Sequence, residues 1–106
     1  MTIEVIFRKY TKRPCETIAI FPYEIADAKG DISSYQHIGQ HGACDRYFRT
    51  FTRPCYEEWE YRDLLKELIS IGYDDLKIIN RVNHGRYLQA LIDSRKNMSI
   101  NELVSI

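Results

Sequence analysis

A chain of 106 residues makes one domain, which buries about two thirds of the surface it exposes when unfolded and needs no cross-links to hold a core. Fifteen Lys and Arg balance fifteen Asp and Glu, so no global field draws the protein to nucleic acid or to an anionic membrane. Cys15, Cys44 and Cys55 are odd in number and irregular in spacing, no basic-then-apolar leader is visible and the apolar runs are short. Together these features exclude a disulfide framework and a membrane span, and lead us to expect a cytoplasmic protein with reduced thiols.

Taken in order, Ile3 to Tyr10 is rich in β-branched and aromatic residues, with Ile3, Val5 and Phe7 on one face and Glu4, Ile6 and Arg8 on the other. It reads as a strand. Thr11 to Glu16 is polar and holds Pro14, and Thr17 to Phe21 resumes β character, so the two segments predict a hairpin that Pro22 ends. Gly30 and its aspartates predict a turn before a third strand over Ile32 to His37. Asp45 to Arg53 fits either a fourth short strand or an irregular excursion.

From Tyr56 to Ile71, Trp59, Tyr61, Leu64, Leu65, Leu68 and Ile69 recur at helical spacing. Glu57, Glu58 and Glu60 sit in the electropositive first turn and Gly72 stops the helix. Leu76 to Val82 predicts a closing strand, and Gly85 to Lys96 a second helix. Ser99 to Glu102 has the spacing of a capping box ahead of a last apolar turn. The expected fold is α+β: a three- or four-stranded, mainly antiparallel sheet with the first helix on one face. Residues 1–82 form the domain, and residues 83–106 form a helical extension packed on it or on a partner, a second copy included.

Chemistry concentrates in Tyr35-Gln36-His37-Ile38-Gly39-Gln40-His41-Gly42-Ala43-Cys44. Gly39 and Gly42 argue against a helix there and for a turn after the third strand. The simplest account is a polar turn whose His and Gln side chains satisfy nearby backbone groups. If His37, His41 and Cys44 converged, they could supply three ligands to an open zinc site, or a thiolate nucleophile with an imidazole base. No paired-cysteine spacing supports a metal site, and no cofactor is expected.

Arg46, Tyr47, Phe48, Arg49, Phe51 and Arg53 interleave charge with rings, the composition of a groove that neutralises phosphates and stacks bases. An edge strand with one solvated face has the same composition, and zero net charge favours that structural account over nucleic acid. The chain lacks a phosphate-binding glycine loop and a dinucleotide fingerprint.

Val5 to Lys9, Ile18 to Pro22, Ser34 to Gly42, Asp63 to Leu68 and Ile71 to Tyr73, in that order, resemble a group of short proteins from phages, prophages and other mobile elements of gut and related bacteria. The Ser-Tyr-Gln-His-Ile-Gly-Gln-His-Gly string is the most specific part. The resemblance covers about Ile3 to Val82. It implies a mobile-element genomic setting in a bacterial host and a common small α+β fold, and carries over no activity and no functional residue. Small proteins of that setting often act by binding, so the expectation is a non-catalytic binder of a host or phage protein through Tyr35, Gln36, His37, Gln40 and His41. The apolar face of the tail is one that a homodimer could cover.

Overall fold

The first two strands carry apolar side chains on both faces, so neither face of a sheet built on them can be left to water. The computed structural model, which describes residues 2–12, 16–37 and 39–96, shows both faces covered. Arg13, Pro14 and Cys15, Ile38, and the 97–106 segment, on which the expected capping box and the apolar face offered to a homodimer fall, lie outside the described residues.

Strand β1 (Ile3–Tyr10) pairs antiparallel with β2 (Thr17–Ile25), in register Ile6 to Ile20 and Arg8 to Ile18. Next to β2 lies β3 (Ile32–Gln36), and next to that β4 (Gln40–Cys44), both pairings antiparallel. On its other side β1 pairs antiparallel with β5 (Thr52–Pro54), and near its start it pairs in parallel with β6 (Leu76–Ile78). The sheet is therefore mixed and has six strands, more than the three or four expected, in the order β4-β3-β2-β1-β5 with β6 on β1.

Two departures from the expected strands have local causes. Pro22 does not end β2, because the β2–β3 register shifts between Phe21 and Ile25 and the strand passes through that irregularity. The closing strand stops at Ile78 rather than Val82, three residues being all that pair with Ile3 to Val5.

Helix α1 (Arg62–Ser70) lies on the face of Val5, Phe7, Ala19, Phe21 and Tyr35, inserting Leu64 and Leu68 among them. It is shorter than Tyr56 to Ile71, because Glu58–Glu60 forms a separate 3₁₀ turn whose reciprocal cap joins Glu57 and Glu60. Helix α2 (His84–Lys96) and a 3₁₀ turn at Phe48–Thr50 cover the opposite face, where Phe48 and Tyr87 are buried with Ile6, Ile18, Ile20, Ile32 and Cys44. The architecture is three layers, with the sheet in the middle, rather than one helix on one face.

Three polar ties fix α2. The Tyr87 hydroxyl donates to the Gly30 carbonyl at 2.6 Å, Arg86 sits 2.6 Å from a Glu4 carboxylate oxygen, and the Asn83 N–H donates to the Tyr23 hydroxyl at 2.8 Å. The Arg86 guanidinium beside Glu4 holds that carboxyl below its ordinary range.

Candidate functional site

The sequence string with two histidines is a β-hairpin: β3, a turn through Gly39 at φ +71°, and β4. β4 escaped sequence reasoning because Gln40-His41-Gly42-Ala43 contains no strong β former. The hairpin is latched from beneath. The Tyr35 hydroxyl accepts from the Gly39 N–H at 2.8 Å and donates to Glu67 of α1, while His37 Nδ1 lies 2.7 Å from the other Glu67 oxygen. Sharing its proton with the Glu67 carboxylate raises the Tyr35 phenol above its ordinary pKa.

His41 stands opposite Tyr35 across the strands and meets its ring edge-on, with centroids 4.7 Å apart. Tyr35 is therefore a buried support, and His37 and His41 are exposed on the α1 side. Gln36 points to the other face, where its amide donates to the Tyr10 hydroxyl at 2.9 Å. Of the five residues expected to bind, the structure brings His37, Gln40 and His41 to the surface of one hairpin, with Tyr35 beneath and Gln36 half-buried.

An open cleft of about 860 Å³ lies between this hairpin and the start of α1, with Gln36, His37, Gln40, Lys9, Trp59 and Asp63 in its wall. Lys9 is buried at the base, donating to Thr17 Oγ1 at 3.1 Å, and Thr17 in turn donates to the Glu60 carbonyl at 3.0 Å. Trp59, placed by its spacing in a helical core stripe, is instead 67% exposed at the cleft because it lies in the 3₁₀ turn. The Glu60 carboxylate is committed to structure. Arg53 at 2.7 Å and the N–H groups of Glu57 and Tyr56 hold it far below its ordinary 4.5, at about 2.

β4 is also the end of the sheet. Among the described residues it pairs with β3 alone, and the His41 N–H turns back to the Gly39 carbonyl at 3.1 Å, away from β3. Because a residue's N–H and C=O point to the same side of an antiparallel strand and the sides alternate, the N–H and C=O of Ala43 also face outward. The opposite margin of the sheet is blunted by strands of three residues bearing Arg53, Pro54 and Lys77. β4 carries no proline, lysine or other fixed charge that would deter a second strand.

Cys44 does not join the histidines. Its side chain lies in the opposite layer among Ile6, Ile18 and Phe48, with Sγ 3.5 Å from the Asp45 carbonyl, whereas His41 contacts Tyr35 on the α1 side. Burial, with the nearby Asp45 and Asp31, pushes its thiol up to about 11. The three-residue convergence needed for a zinc centre or a Cys/His pair is therefore not present. Among the described residues no group of three His, Cys, Asp or Glu side chains is placed to hold a metal ion.

The Arg46 to Arg53 stretch does not form one stacking stripe either. Phe48 is buried under Arg8, and Phe51 stacks on Tyr10 with centroids 6.2 Å apart. Arg46 covers the rings of Tyr47 and Tyr87 at 4.8 and 5.8 Å, and Arg53 is paired with Glu60. The expected alternation fails because a 3₁₀ turn, not a strand, occupies Phe48–Thr50.

Compared with known proteins, the chain matches no family model, and no curated protein or solved structure is significantly similar to it. No helix among the described residues is long and apolar enough to cross a membrane.

Proposed function

We propose that this protein is a non-catalytic binding module that captures an extended peptide segment of a partner protein by adding it as a strand to β4. The observation that carries this is the contrast between the two margins of the sheet, one blunted by proline and basic side chains, the other open and uncharged. Main-chain hydrogen bonds along an open edge supply affinity with little sequence demand, and side chains of one parity on the added strand supply specificity. A strand laid along β4 reaches the cleft at Gln40, where Trp59 offers an exposed ring and Asp63 a carboxylate. His37, fixed through Nδ1 by Glu67, has its Nε2 left for the ligand.

A rigid latched hairpin loses little freedom on binding, which favours this use over a mobile loop. The partner in this reading is a host or phage protein, in keeping with the mobile-element setting that the Ser34 to Gly42 string implies.

Selection from a displayed library of unstructured ten-residue peptides tests the reading. Binders should be enriched, and His37→Ala and His41→Ala should each weaken a selected peptide by about 1 kcal/mol, roughly fivefold, with the melting temperature lowered by no more than about 5 °C, because both side chains are exposed and each gives up a single contact. Affinities identical to that of the parent protein would remove the hairpin from the function.

A further inference from the structure

Arg8 is 7% exposed yet carries a full charge, and a buried guanidinium is ordinarily matched by a carboxylate. Here it is not. Its Nε donates to Thr52 Oγ1 and its Nη2 to the Thr52 carbonyl, both at 3.0 Å, and the Phe48 ring lies 5.5 Å from its Cζ. All of these partners are neutral, and Nη1 has no hydrogen bond among the described residues. Burial lowers the pKa of the guanidinium, and the like charge of Arg49 lowers it further.

Arg8 faces a hollow of about 310 Å³ whose wall also holds Arg49, Arg81, Asn80 and Cys55. Neither Arg49 nor Arg81 makes an ion pair among the described residues, although Arg53 and Arg86 are matched to Glu60 and Glu4. A protein of zero net charge has therefore gathered around one small cavity three guanidinium groups that are unmatched among the described residues, with no described acid in its wall. Like charges brought together at the cost of burial are stabilised when an anion sits between them.

We propose that this hollow binds the terminal phosphate of a small phosphomonoester, with Arg8 as the buried anchor, Arg49 and Arg81 as outer clamps and the Asn80 amide as a further donor. Guanidinium forks match the several acceptor oxygens of a phosphate dianion better than they match a single carboxylate. The volume lies at the lower end of small-ligand sites and admits the phosphate with a few carbons. Burial raises the pKa of the Cys55 thiol, and the site binds without a covalent step.

The test is a titration of the ¹⁵N-labelled protein with glycerol 3-phosphate, inorganic phosphate and an octathymidylate, at ionic strength held constant with sodium chloride, following the arginine Nε–H resonances. Glycerol 3-phosphate should shift Arg8, Arg49 and Arg81 saturably and bind several-fold tighter than inorganic phosphate. The double variant Arg49→Gln/Arg81→Gln should weaken it at least about tenfold without altering the melting temperature, since both side chains are exposed. A non-saturating response, or one equal in the variant, overturns the site. Inorganic phosphate binding as tightly as the ester overturns the ester assignment, and an oligonucleotide binding through the same residues about a hundredfold tighter assigns the cluster to nucleic acid instead.

Discussion

Gly30→Ala should destabilise the protein by about 3 kcal/mol, lowering the melting temperature by roughly 12 °C or more. Gly30 holds φ +94°, a conformation that costs about 1–2 kcal/mol for a residue with a Cβ. The added Cβ would also fall 2.7 Å from the Tyr87 hydroxyl, which donates to the Gly30 carbonyl. The substitution therefore strains the turn before β3 and dislodges the one buried side chain of α2. Tyr87→Phe separates the two contributions, because it removes the hydroxyl that the Cβ meets and forfeits its polar contacts with the Gly30 carbonyl and Arg46, about 1 kcal/mol. The double variant should be less destabilised than the sum of the singles. Urea unfolding followed by circular dichroism reads all three, and a Gly30→Ala loss below about 0.5 kcal/mol would contradict the packing of α2 described above.

Ala43→Pro should abolish peptide capture, weakening a selected ligand by about a hundredfold, while moving the melting temperature by no more than about 5 °C. The prediction combines two facts about β4. The Ala43 amide faces away from β3, so a proline there removes no hydrogen bond of the existing ladder, and Gly42 before it tolerates the restricted backbone. The same proline withdraws a donor from the open edge and sets its ring where an added strand would lie. The same substitution at Gly42, whose N–H faces β3, should instead unfold the hairpin. An Ala43→Pro protein that keeps its affinity would place the ligand elsewhere, the cleft beside Trp59 being the nearest alternative.

Much of the frame was legible in the sequence. β1 and β2 announce themselves through β-branched residues in alternation, and α2 through Tyr87, Leu88, Leu91 and Ile92 at helical spacing. What stayed hidden was non-local or lay in residues of weak propensity. The parallel pairing of β6 with β1 joins segments more than seventy residues apart, so no local pattern encodes it. The second covering layer was foreshadowed by Ile18-Ala19-Ile20-Phe21, which is apolar on both parities, but only the structure shows α2 and Phe48 filling that side.

The site was legible as composition and opaque as geometry. His37, His41 and Cys44 stand at spacings that a helix would gather, whereas on β4 the parity of two sends His41 to one face and Cys44 to the other. Glu67, the residue that orients both Tyr35 and His37, sits some thirty positions downstream in what reads simply as a charged helix face. The Arg8, Arg49 and Arg81 cluster combines a strand, a 3₁₀ turn and a connecting segment, and net charge averages it away.

The most direct test of strand addition is amide hydrogen exchange of the ¹⁵N-labelled protein, alone and saturated with a selected peptide. In the free protein the Ala43 N–H, facing solvent, should exchange rapidly, and in the complex it should slow at least about tenfold, with cross-strand Overhauser effects from Ala43 to the peptide backbone. A saturated complex in which the Ala43 amide exchanges as fast as in the free protein would show that β4 receives no strand, and the proposed function would fall.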